Sequence, residues 1–436
     1  MSWLGTQKDA NARRSGIVTV LDIGSSKICC IVGRLQPRQD SRLLPGRTHQ
    51  VQVIGIGHQK SLGVKSGVIV DLDRAEQAIR LAVDAAERMA GLTIDSLIVN
   101  LSAGRLRSQV MSATIKLGGH EADQSDIDQV LAAGARQALR ADRQVVHSLP
   151  VGFSLDGEKG MRDPRGMVGD ELGVDMHVVT GDAAPLRNLE LCINRAHLSV
   201  ERMVVTPYAS GLAALVEDES EMGAACIDLG GGTTTISVFA DGKFVHADSL
   251  PIGGNHVTGD LARGLSTRTD FAERLKVMHG SALPGGVEDR DMVTVQPIGG
   301  DEHDAATQVP RAVMNRIVRA RIEETMEMVR DRLNRSGLGG LVGKRIVLTG
   351  GASQLSGLPE AARRILGRSV RIGRPMGISG LPEAAKGPAF ATAVGLMIYP
   401  QVAGVESVQG GRVLRMRATG TGGRFHRMGR WLKESF

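Results

Sequence analysis

The sequence predicts an α/β fold whose sheet-and-helix core is duplicated. Two apolar runs of strand length enclose a small polar turn within residues 17–32, and the same pattern returns within residues 225–239. Apolar runs around a tight turn are typical of a β-hairpin. The two hairpins align with Asp22 matching Asp228, so we interpret them as an internal repeat.

A third glycine turn and an amphipathic helix complete the predicted core. Residues 345–349 form a strand-like run, the turn 350–354 follows, and Pro359 opens a helical segment, which predicts strand, turn and helix in that order. Between residues 73 and 90, apolar or alanine side chains recur with the 3.6-residue period of a helix. We expect this helix to cover one face of a sheet.

The segments between these patterns predict an inserted module and a loop. Strand-like runs at 97–117 and 145–155 flank an acidic helix start at 126–128, which indicates a small inserted α+β unit. Residues 281–310 are rich in Gly, Pro and Asp without periodicity and predict a mostly irregular loop. A charged helix is predicted for residues 311–333.

The composition is that of a globular protein with several domains. The chain has 436 residues, of which 42% are apolar and 23% charged, and a prior of ~150 residues per domain suggests about three domains. Four cysteines without CxxC spacing lie in apolar runs, which indicates reduced core residues. The sequence contains neither a signal-peptide pattern nor a run of ~18 apolar residues, so we expect a chain that is neither exported nor membrane-spanning.

The net charge of +6 is located at the C-terminal end. Residues 412–436 hold seven basic side chains and one acidic one, which leaves 46 of the 53 basic residues and 46 of the 47 acidic residues elsewhere. Nucleic-acid binding proteins typically carry a basic patch. Because the rest of the chain is neutral, we expect no such patch there. Nucleic acid is therefore not an expected partner.

The C-terminal segment has the pattern of a helix that lies on a membrane surface. Residues 401–423 are basic, glycine-bearing and aperiodic, and predict a linker. Residues 424–436 follow as an amphipathic helix with an apolar stripe and a cationic side, as interfacial helices require. The expected membrane contacts are Phe425, Met428, Trp431, Leu432, Phe436, Arg427, Arg430 and Lys433. The alternative is a basic tail that packs on the body or binds nucleic acid.

The glycine turns have the composition of a phosphate site. Glycine and serine let backbone N–H groups approach phosphate oxygens, and Lys27, Thr233 and Thr234 can add side-chain donors. Asp22 and Asp228 would face each other across a cleft and hold a hydrated Mg²⁺ ion that bridges phosphates. The hairpins differ from a Walker loop, whose GxxxxGK[ST] motif the chain lacks.

These motifs resemble the actin, Hsp70 and sugar-kinase superfamily, and within it the chain is similar to the FtsA family of bacterial cell division proteins. The likeness covers residues 17–436 and rests on the segments 21–27, 63–69 and 251–255 and on the basic terminus. It implies an actin-like, two-lobed ATPase fold with ATP and Mg²⁺ between the lobes. The implied phosphate-binding residues are Gly24, Ser25, Ser26, Lys27, Gly230, Gly231, Gly232 and Thr233. The implied adenosine-binding residues are Gly350, Gly351, Ala352 and Gln354, with Glu273 and Lys276 near the purine and ribose.

The resemblance also implies a division into subdomains. We expect a flexible N-terminus, a first subdomain 1A in three pieces, the family's inserted subdomain 1C, a second-lobe subdomain 2A in two pieces, and a subdomain 2B. In that order their expected boundaries are 1–16; 17–85 with 169–204 and 386–400; 86–168; 205–242 with 319–385; and 243–318. The linker and the terminal helix follow.

The function implied by the resemblance is that of an adaptor in cell division. Such a protein self-associates in actin-like protofilaments, binds the C-terminal peptide of the tubulin-like protein FtsZ, and anchors the FtsZ ring peripherally to the cytoplasmic face of the inner membrane, together with downstream division proteins. The peptide would dock on residues 243–318, where Arg311 is the candidate contact, with a solvated helix-face charge as the alternative. Asp228 can orient water or metal, but no catalytic base is evident, so we expect at most slow ATP hydrolysis.

Two other functions fit the same fold. A sugar or acetate-type kinase would need acceptor-binding residues and a catalytic carboxylate in the cleft, and it has no use for a membrane helix. An actin-like pilus-assembly relative shares the inserted module but should lack the terminal helix. Taken alone, Glu273 and Lys276 would be an exposed ion pair on one helix face.

Overall fold

A computed structural model describes residues 16–37, 49–103, 105–137, 142–285, 290–298 and 306–405 of the chain. The strands in these residues are β1 (Gly16–Ile23), β2 (Lys27–Pro37), β3 (His49–Lys60), β4 (Val64–Lys65), β5 (Val68–Ile69), β6 (Ser96–Leu101), β7 (Arg107–Lys116), β8 (Arg143–Leu155), β9 (Glu158–Met161), β10 (Glu171–Asp182), β11 (Ser199–Val205), β12 (Ala224–Leu229), β13 (Thr234–Ala240), β14 (Lys243–Leu250), β15 (Met292–Val295), β16 (Thr307–Pro310), β17 (Arg345–Thr349), β18 (Ser369–Ile372) and β19 (Ile378–Ser379). The α-helices are α1 (Leu72–Ala90), α2 (Gln124–Gln137), α3 (Ala183–Arg195), α4 (Thr206–Ala214), α5 (Glu217–Met222), α6 (Gly254–Gly264), α7 (Thr269–His279), α8 (Arg311–Arg335), α9 (Leu358–Leu366) and α10 (Ala391–Val402).

Two sheets share one topology, which confirms the predicted duplication. The first has the order β11-β6-β1-β2-β3-β19 and the second the order β18-β17-β12-β13-β14. In each sheet three antiparallel strands, β1-β2-β3 or β12-β13-β14, continue into two parallel strands, β6 and β11 or β17 and β18. Only β19 has no counterpart in the second sheet. The repeat noticed in the turns therefore extends to the whole sheet.

Helix α1 covers the first sheet, as its periodicity predicts. The Asp71 carboxylate caps its first turn by accepting a hydrogen bond from the Arg74 N–H at 3.1 Å, and Gly91 ends it in the left-handed conformation with φ of 68°. A Cβ atom on Gly55 would approach the Ala86 carbonyl to 2.5 Å, so the helix lies directly on β3. Its buried residues are Ala75, Ala78, Ile79, Ala82, Val83 and Ala86, the positions that the sequence predicts.

Helices α4 and α10 join the two lobes. Helix α10 packs on β1, β2 and β6 of the first sheet, α4 packs on β12 and β13 of the second, and the two helices pack on each other. Gly395 makes the approach close, because a Cβ atom there would overlap with the Ala209 carbonyl oxygen. This contact sets the two hairpin turns opposite one another above the helix pair.

The inserted unit is an antiparallel sheet, β7-β10-β8-β9, with α2 packed on it and a hydrophobic core of its own. Strand pairing departs from the expected range of 86–168 at both ends. The C-terminal turn of α1 and strand β6 belong to the first lobe, because β6 pairs with β1. Strand β10 belongs to the inserted sheet, where it pairs with β7 and β8. We propose boundaries for this unit near residues 103 and 182.

The described part of the segment 281–310 contains two short strands, which the prediction of a mostly irregular loop did not include. Strands β15 and β16 within it form an antiparallel pair. Val293 and Val295 point inward while Met292 and Thr294 are exposed, which is the period of a half-buried strand. The Gly, Pro and Asp content around these four residues concealed that short alternation.

The linker begins later in the chain than the predicted start at residue 401. Helix α10 runs on to Val402 and a 3₁₀ turn occupies Ala403–Val405, so the first residues of the expected linker are helical. The rest of the linker, the terminal helix at 424–436 and the N-terminal residues 1–15 lie outside the described residues. None of the helices in the described ranges has the length and apolar character needed to cross a bilayer.

Candidate functional site

The three glycine turns line one cavity of about 680 Å³. It lies between the lobes, above the contact of α4 with α10. With the exception of Thr234, every residue that the sequence analysis assigns to phosphate, metal or adenosine lines it: Asp22, Gly24, Ser25, Ser26, Lys27, Asp228, Gly230, Gly231, Gly232, Thr233, Glu273, Lys276, Gly350, Gly351, Ala352 and Gln354. The expected membrane residues, 425–436, are outside the described part of the chain.

The two hairpin turns close in the same way and meet at the floor of the cavity. The N–H of Gly24 donates to the Lys27 carbonyl, and the N–H of Gly230 donates to the Thr233 carbonyl, both at 2.9 Å. A Cβ atom on Gly231 would overlap with the Ser26 hydroxyl, and one on Gly232 would lie 2.5 Å from the Ser25 hydroxyl. The turns therefore approach each other only because these positions are glycine.

Two carboxylates lie buried at the ends of the matching strands. Asp22 and Asp228 are each 6% exposed. Burial raises the pKa of both, and burial together with the nearby Asp22 carboxylate brings that of Asp228 to about 6. Asp228 accepts a hydrogen bond from Thr392 Oγ1 at 2.9 Å. Within the described residues no group of three or more His, Cys, Asp and Glu side chains is placed to hold a metal ion.

This donor set fits a hydrated Mg²⁺ ion. Mg²⁺ binds through one or two carboxylates and keeps several of its water molecules, so a cage of protein ligands is not required. A cation between two buried carboxylates would also favour their charged forms, which burial alone disfavours. Asp22 and Asp228 are the residues that would hold it.

Lys27 reaches into the cavity from the first hairpin but is held against its wall. Its Nζ atom donates to the Ala389 carbonyl at 2.6 Å, lies 3.7 Å from the Asp22 carboxylate and 3.8 Å from the ring centroid of Phe390. Thr233 lines the cavity. Thr234 does not, contrary to the prediction that it adds a donor. Its side chain points to the other face of β13, where its hydroxyl donates to the Ile252 carbonyl at 2.8 Å.

The third turn forms the opposite wall. Gly350 has φ of 84°, and a Cβ atom there would lie 2.5 Å from the Leu229 carbonyl oxygen and would overlap with the Asp228 carboxylate. The 3₁₀ turn Gly351–Gln354 follows it. Glycine at position 350 therefore brings this turn against the second hairpin.

Glu273 and Lys276 are not merely an exposed pair. Lys276 Nζ is 2.7 Å from the Glu273 carboxylate and donates to Thr258 Oγ1 at 3.0 Å and to the Gly254 carbonyl at 3.2 Å. The Lys276 side chain is 13% exposed, and both residues line the cavity. This network fixes α7 against α6 at the edge of the cavity nearest Ala352.

Among the polar residues of the cavity that the sequence analysis missed are Asn100, Ser102, Thr206 and Thr392. Asn100 Oδ1 accepts from the Ile23 N–H at 2.6 Å, and Asn100 Nδ2 donates to Thr206 Oγ1 at 3.2 Å. Ser102 Oγ lies 2.7 Å from Thr206 Oγ1, and all three residues line the cavity with Thr392. Asn100 and Ser102 stand at the end of β6 and Thr206 directly follows β11. Polar residues after buried strands were the signal that could have found them.

A second hollow of about 650 Å³ lies beside the cavity, between α7 and β15. Arg311 opens α8 at its edge, where its Nε–H donates to the His279 carbonyl at 2.8 Å. Met278 and Met292 are exposed by 70% and 53%, which leaves an apolar floor at the surface. The hollow carries Arg274 beside Phe271, and among the described residues its one acidic wall residue is Asp291.

Comparison with known families covers most of the described fold. The model of the family described as "Cell division protein FtsA" matches residues 225–395, and that described as "SHS2 domain inserted in FTSA" matches residues 103–180. The second match spans β7 to β10 and corresponds to the inserted sheet.

Relatives with the same description extend over nearly the whole chain. The cell division protein FtsA of Rhizobium meliloti is 68% identical over 429 residues, which is 98% of this chain and 97% of the relative. That of Pseudomonas aeruginosa is 33% identical and covers 89% and 90% of the two chains. That of Escherichia coli is 30% identical and covers 96% and 98%.

Solved structures share the fold at low identity. A chain of the PilM–PilN type IV pilus biogenesis complex aligns with a TM-score of 0.59 and 15% identity, over 88% of this chain and 98% of that one. MreB5 of Spiroplasma citri bound to ADP aligns with a TM-score of 0.50 and 13% identity, over 89% and 96%. These likenesses identify an actin-like fold.

Proposed function

The chain belongs to the FtsA family of cell division proteins, and from that premise we propose that it binds ATP with Mg²⁺ and anchors FtsZ to the inner membrane. The observation that carries the proposal is the meeting of three glycine turns in one cavity with two buried carboxylates. Such a cavity between lobes matches the chemistry of a nucleotide with its metal ion.

Different turns bind different parts of the nucleotide. Backbone N–H groups of the first and second turns bind the phosphates, aided by Ser25, Ser26, Lys27 and Thr233. The adenosine lies between the third turn, with Gly351, Ala352 and Gln354, and the pair Glu273 and Lys276. The metal ion supplies positive charge that neutralises the phosphates. Asp22 and Asp228 would hold the ion through its water molecules, and turnover is at most slow because no group in this set is an evident catalytic base.

The FtsZ peptide docks in the hollow between α7 and β15. Exposed Met278 and Met292 provide apolar contacts, and Arg274 with Arg311 provides positive charge on its rim. An extended peptide with apolar and acidic side chains is complementary to this surface. Arg311 is the proposed contact with a peptide carboxylate.

The C-terminal helix binds anionic lipid at the cytoplasmic face of the membrane. Apolar side chains of residues 425–436 insert and the basic ones contact head groups, at ~1 kcal/mol for each basic residue. One such helix gives reversible binding, so self-association in actin-like protofilaments strengthens it. The protein is thus peripheral, sits at the division site, and recruits downstream division proteins there.

Vesicle pelleting with FtsZ tests this function directly. We expect the full-length protein with Mg-ATP to carry FtsZ into the pellet of anionic vesicles. Trp431→Glu places a charge on the inserting side, so both proteins stay in the supernatant. Arg311→Ala leaves the protein on the vesicles but lowers pelleted FtsZ about tenfold, the size of one lost charged contact.

Two controls separate the parts of the proposal. Vesicles of neutral lipid bind the wild type weakly if the basic side chains contact head groups. Arg316→Ala removes another arginine of α8 that does not line the hollow, and it should pellet FtsZ like the wild type. Equal FtsZ recruitment by the wild type and Arg311→Ala would contradict docking in the hollow.

A further inference from the structure

Thr235, a residue that lines the cavity, carries a buried hydroxyl group without a hydrogen-bond partner. The residue is 1% exposed, lines the cavity, and its Oγ1 atom has no hydrogen-bond partner. Buried hydroxyl groups are normally paired, because losing water without a replacement is unfavourable. We interpret an unpaired one on a residue that lines the cavity as the site of a partner that arrives with the ligand.

Two threonines near Thr235 do find hydrogen-bond partners for their hydroxyl groups. Thr234, the preceding residue, donates to the Ile252 carbonyl at 2.8 Å. Thr349, which lies beside Asp228 on the other neighbouring strand, β17, donates to the Gly373 carbonyl at 2.9 Å. Of these three threonines, only the one that lines the cavity lacks a partner.

The register places Thr235 beside Asp228. The two residues are directly opposite in the antiparallel pair of β12 with β13, so their side chains share one face of the sheet. Ser249 lies opposite Thr235 on the next strand, and its hydroxyl is 3.5 Å from the Ser102 carbonyl. Thr392 already donates to the Asp228 carboxylate. The Thr235 hydroxyl is therefore next to the carboxylate without being used by it.

The internal repeat shows that this feature is specific to the second lobe. The position opposite Asp22 in the first hairpin is Cys29, whose thiol is fully buried. The two carboxylates match, but only Asp228 has a hydroxyl group beside it. The two halves of the metal site are thus chemically unequal.

We propose that the Thr235 hydroxyl hydrogen-bonds a water molecule of the hydrated Mg²⁺ ion held at Asp228. This inference rests on the proposed nucleotide function and adds a positioning residue to it. Mg²⁺ retains several waters when it binds through carboxylates, and each needs an acceptor or donor in a buried site. Thr235 makes nucleotide binding more dependent on Mg²⁺ and gives the ion a preference for the second lobe.

Titration of the full-length protein with a fluorescent ATP analogue, in excess Mg²⁺ and in EDTA, tests the proposal. We expect Mg²⁺ to strengthen binding by the wild type. Thr235→Val keeps the shape and removes the hydroxyl, so the gain from Mg²⁺ should fall by about five- to tenfold while binding in EDTA is unchanged. Thr235→Ser should restore the gain to within about twofold, since it keeps the hydroxyl.

Ser148→Ala is the matched control. Ser148 is another buried hydroxyl without a partner, but it lies on β8 away from the cavity. It should bind the nucleotide like the wild type in both buffers. Thermal unfolding without nucleotide adds a second measurement, in which Thr235→Val should melt no lower than the wild type because it removes an unsatisfied group.

Three results would overturn the proposal. Thr235→Val could show the wild-type gain from Mg²⁺, or it could lose equal affinity in both buffers, which would place the hydroxyl against the nucleotide. It could also melt below the wild type, which would make the hydroxyl structural. A wild type that binds no nucleotide in either buffer would refute the proposed function itself, and this inference with it.

Discussion

At the scale of single residues, Asp228 shows how the fold holds a charge ready for a ligand. The carboxylate is buried at the end of β12, and burial raises its pKa to about 6 despite the hydrogen bond from Thr392. In the folded chain the protonated form is therefore favoured relative to the unfolded chain. Ionisation costs stability as the pH rises from about 4 through about 6.

Asp228→Asn should stabilise the nucleotide-free protein at neutral pH. The substitution removes a buried charge, so we expect the free energy of unfolding at pH 7 to rise by roughly 1–3 kcal/mol. At pH 4.5 the folded wild type keeps this carboxyl protonated, so most of the difference should be gone. Denaturant unfolding at the two pH values measures it. Mg²⁺-dependent nucleotide binding should be lost in the same variant.

The control for this prediction is Asp84→Asn. Asp84 lies on the exposed face of α1, and its removal should change stability little at either pH. A lower stability of Asp228→Asn at pH 7 would show that the carboxylate holds the folded state together through its hydrogen bonds. In that case the buried Asp228 carboxylate would stabilise the nucleotide-free protein, and it would not be a group that lowers stability in order to bind a ligand.

At the scale of elements, buried histidines connect the inserted sheet to both lobes. His177 on β10 places Nδ1 2.8 Å from the Phe244 carbonyl of β14 and Nε2 2.6 Å from the Ser108 hydroxyl. The Ser108 oxygen accepts from the Ala247 N–H at 3.1 Å. These partners assign the proton to Nδ1, because the carbonyl can only accept and the serine can donate to Nε2. His147 on β8 is likewise buried and accepts from the Val205 N–H of β11 at 3.0 Å.

Acid should therefore weaken the protein through His177. Burial lowers the pKa of this imidazole to about 3, so between pH 6.5 and 3 the unfolded chain binds a proton that the folded chain does not. Stability is present above this range and is lost as the pH falls. From pH 7 to pH 5 we expect a loss of about 2 kcal/mol from this residue.

His177→Gln tests the acid effect. Glutamine keeps a donor and an acceptor but does not titrate. The stability of the variant protein should therefore fall by less over the same pH range, even if it is lower overall. Denaturant unfolding at both pH values gives, for the wild type and the variant, the slope of the free energy of unfolding against pH. His58→Gln is the control, because His58 is exposed on β3. Identical slopes for the wild type and His177→Gln would exclude this residue as the source.

At the scale of the whole molecule, the cavity between the lobes and the terminal helix are coupled in our proposal. Mg-ATP binds both hairpins at once and favours a closed conformation that self-associates. Linked copies then make each further membrane insertion effectively intramolecular. Vesicle binding should therefore become tighter and steeper with Mg-ATP, by about tenfold or more.

Gly231→Ala tests the coupling without touching the tail. A Cβ atom at this position overlaps with the Ser26 hydroxyl, so it separates the two turns. The variant should bind vesicles as weakly with Mg-ATP as without it. Gly259→Ala is the matched control, because a Cβ atom there meets nothing within 4 Å. Equally strong vesicle binding by the wild type with and without ATP would contradict the coupling.

The sequence by itself determined the features that short segments encode. Both hairpins, helix α1 with its buried positions, and the third glycine turn follow from apolar periodicity and glycine placement within about 20 residues, and the repeat predicts that the lobes match. Only the tertiary structure decided which distant residues join them. Thr392 reaches Asp228 across 164 positions, and Asn100 reaches Thr206 across 106. Sheet register and the packing of α4 on α10 create these contacts, and such non-local geometry leaves no periodic signal in the chain. The same reason hid the unpaired hydroxyl of Thr235, which only the pairing of β12 with β13 places beside the carboxylate.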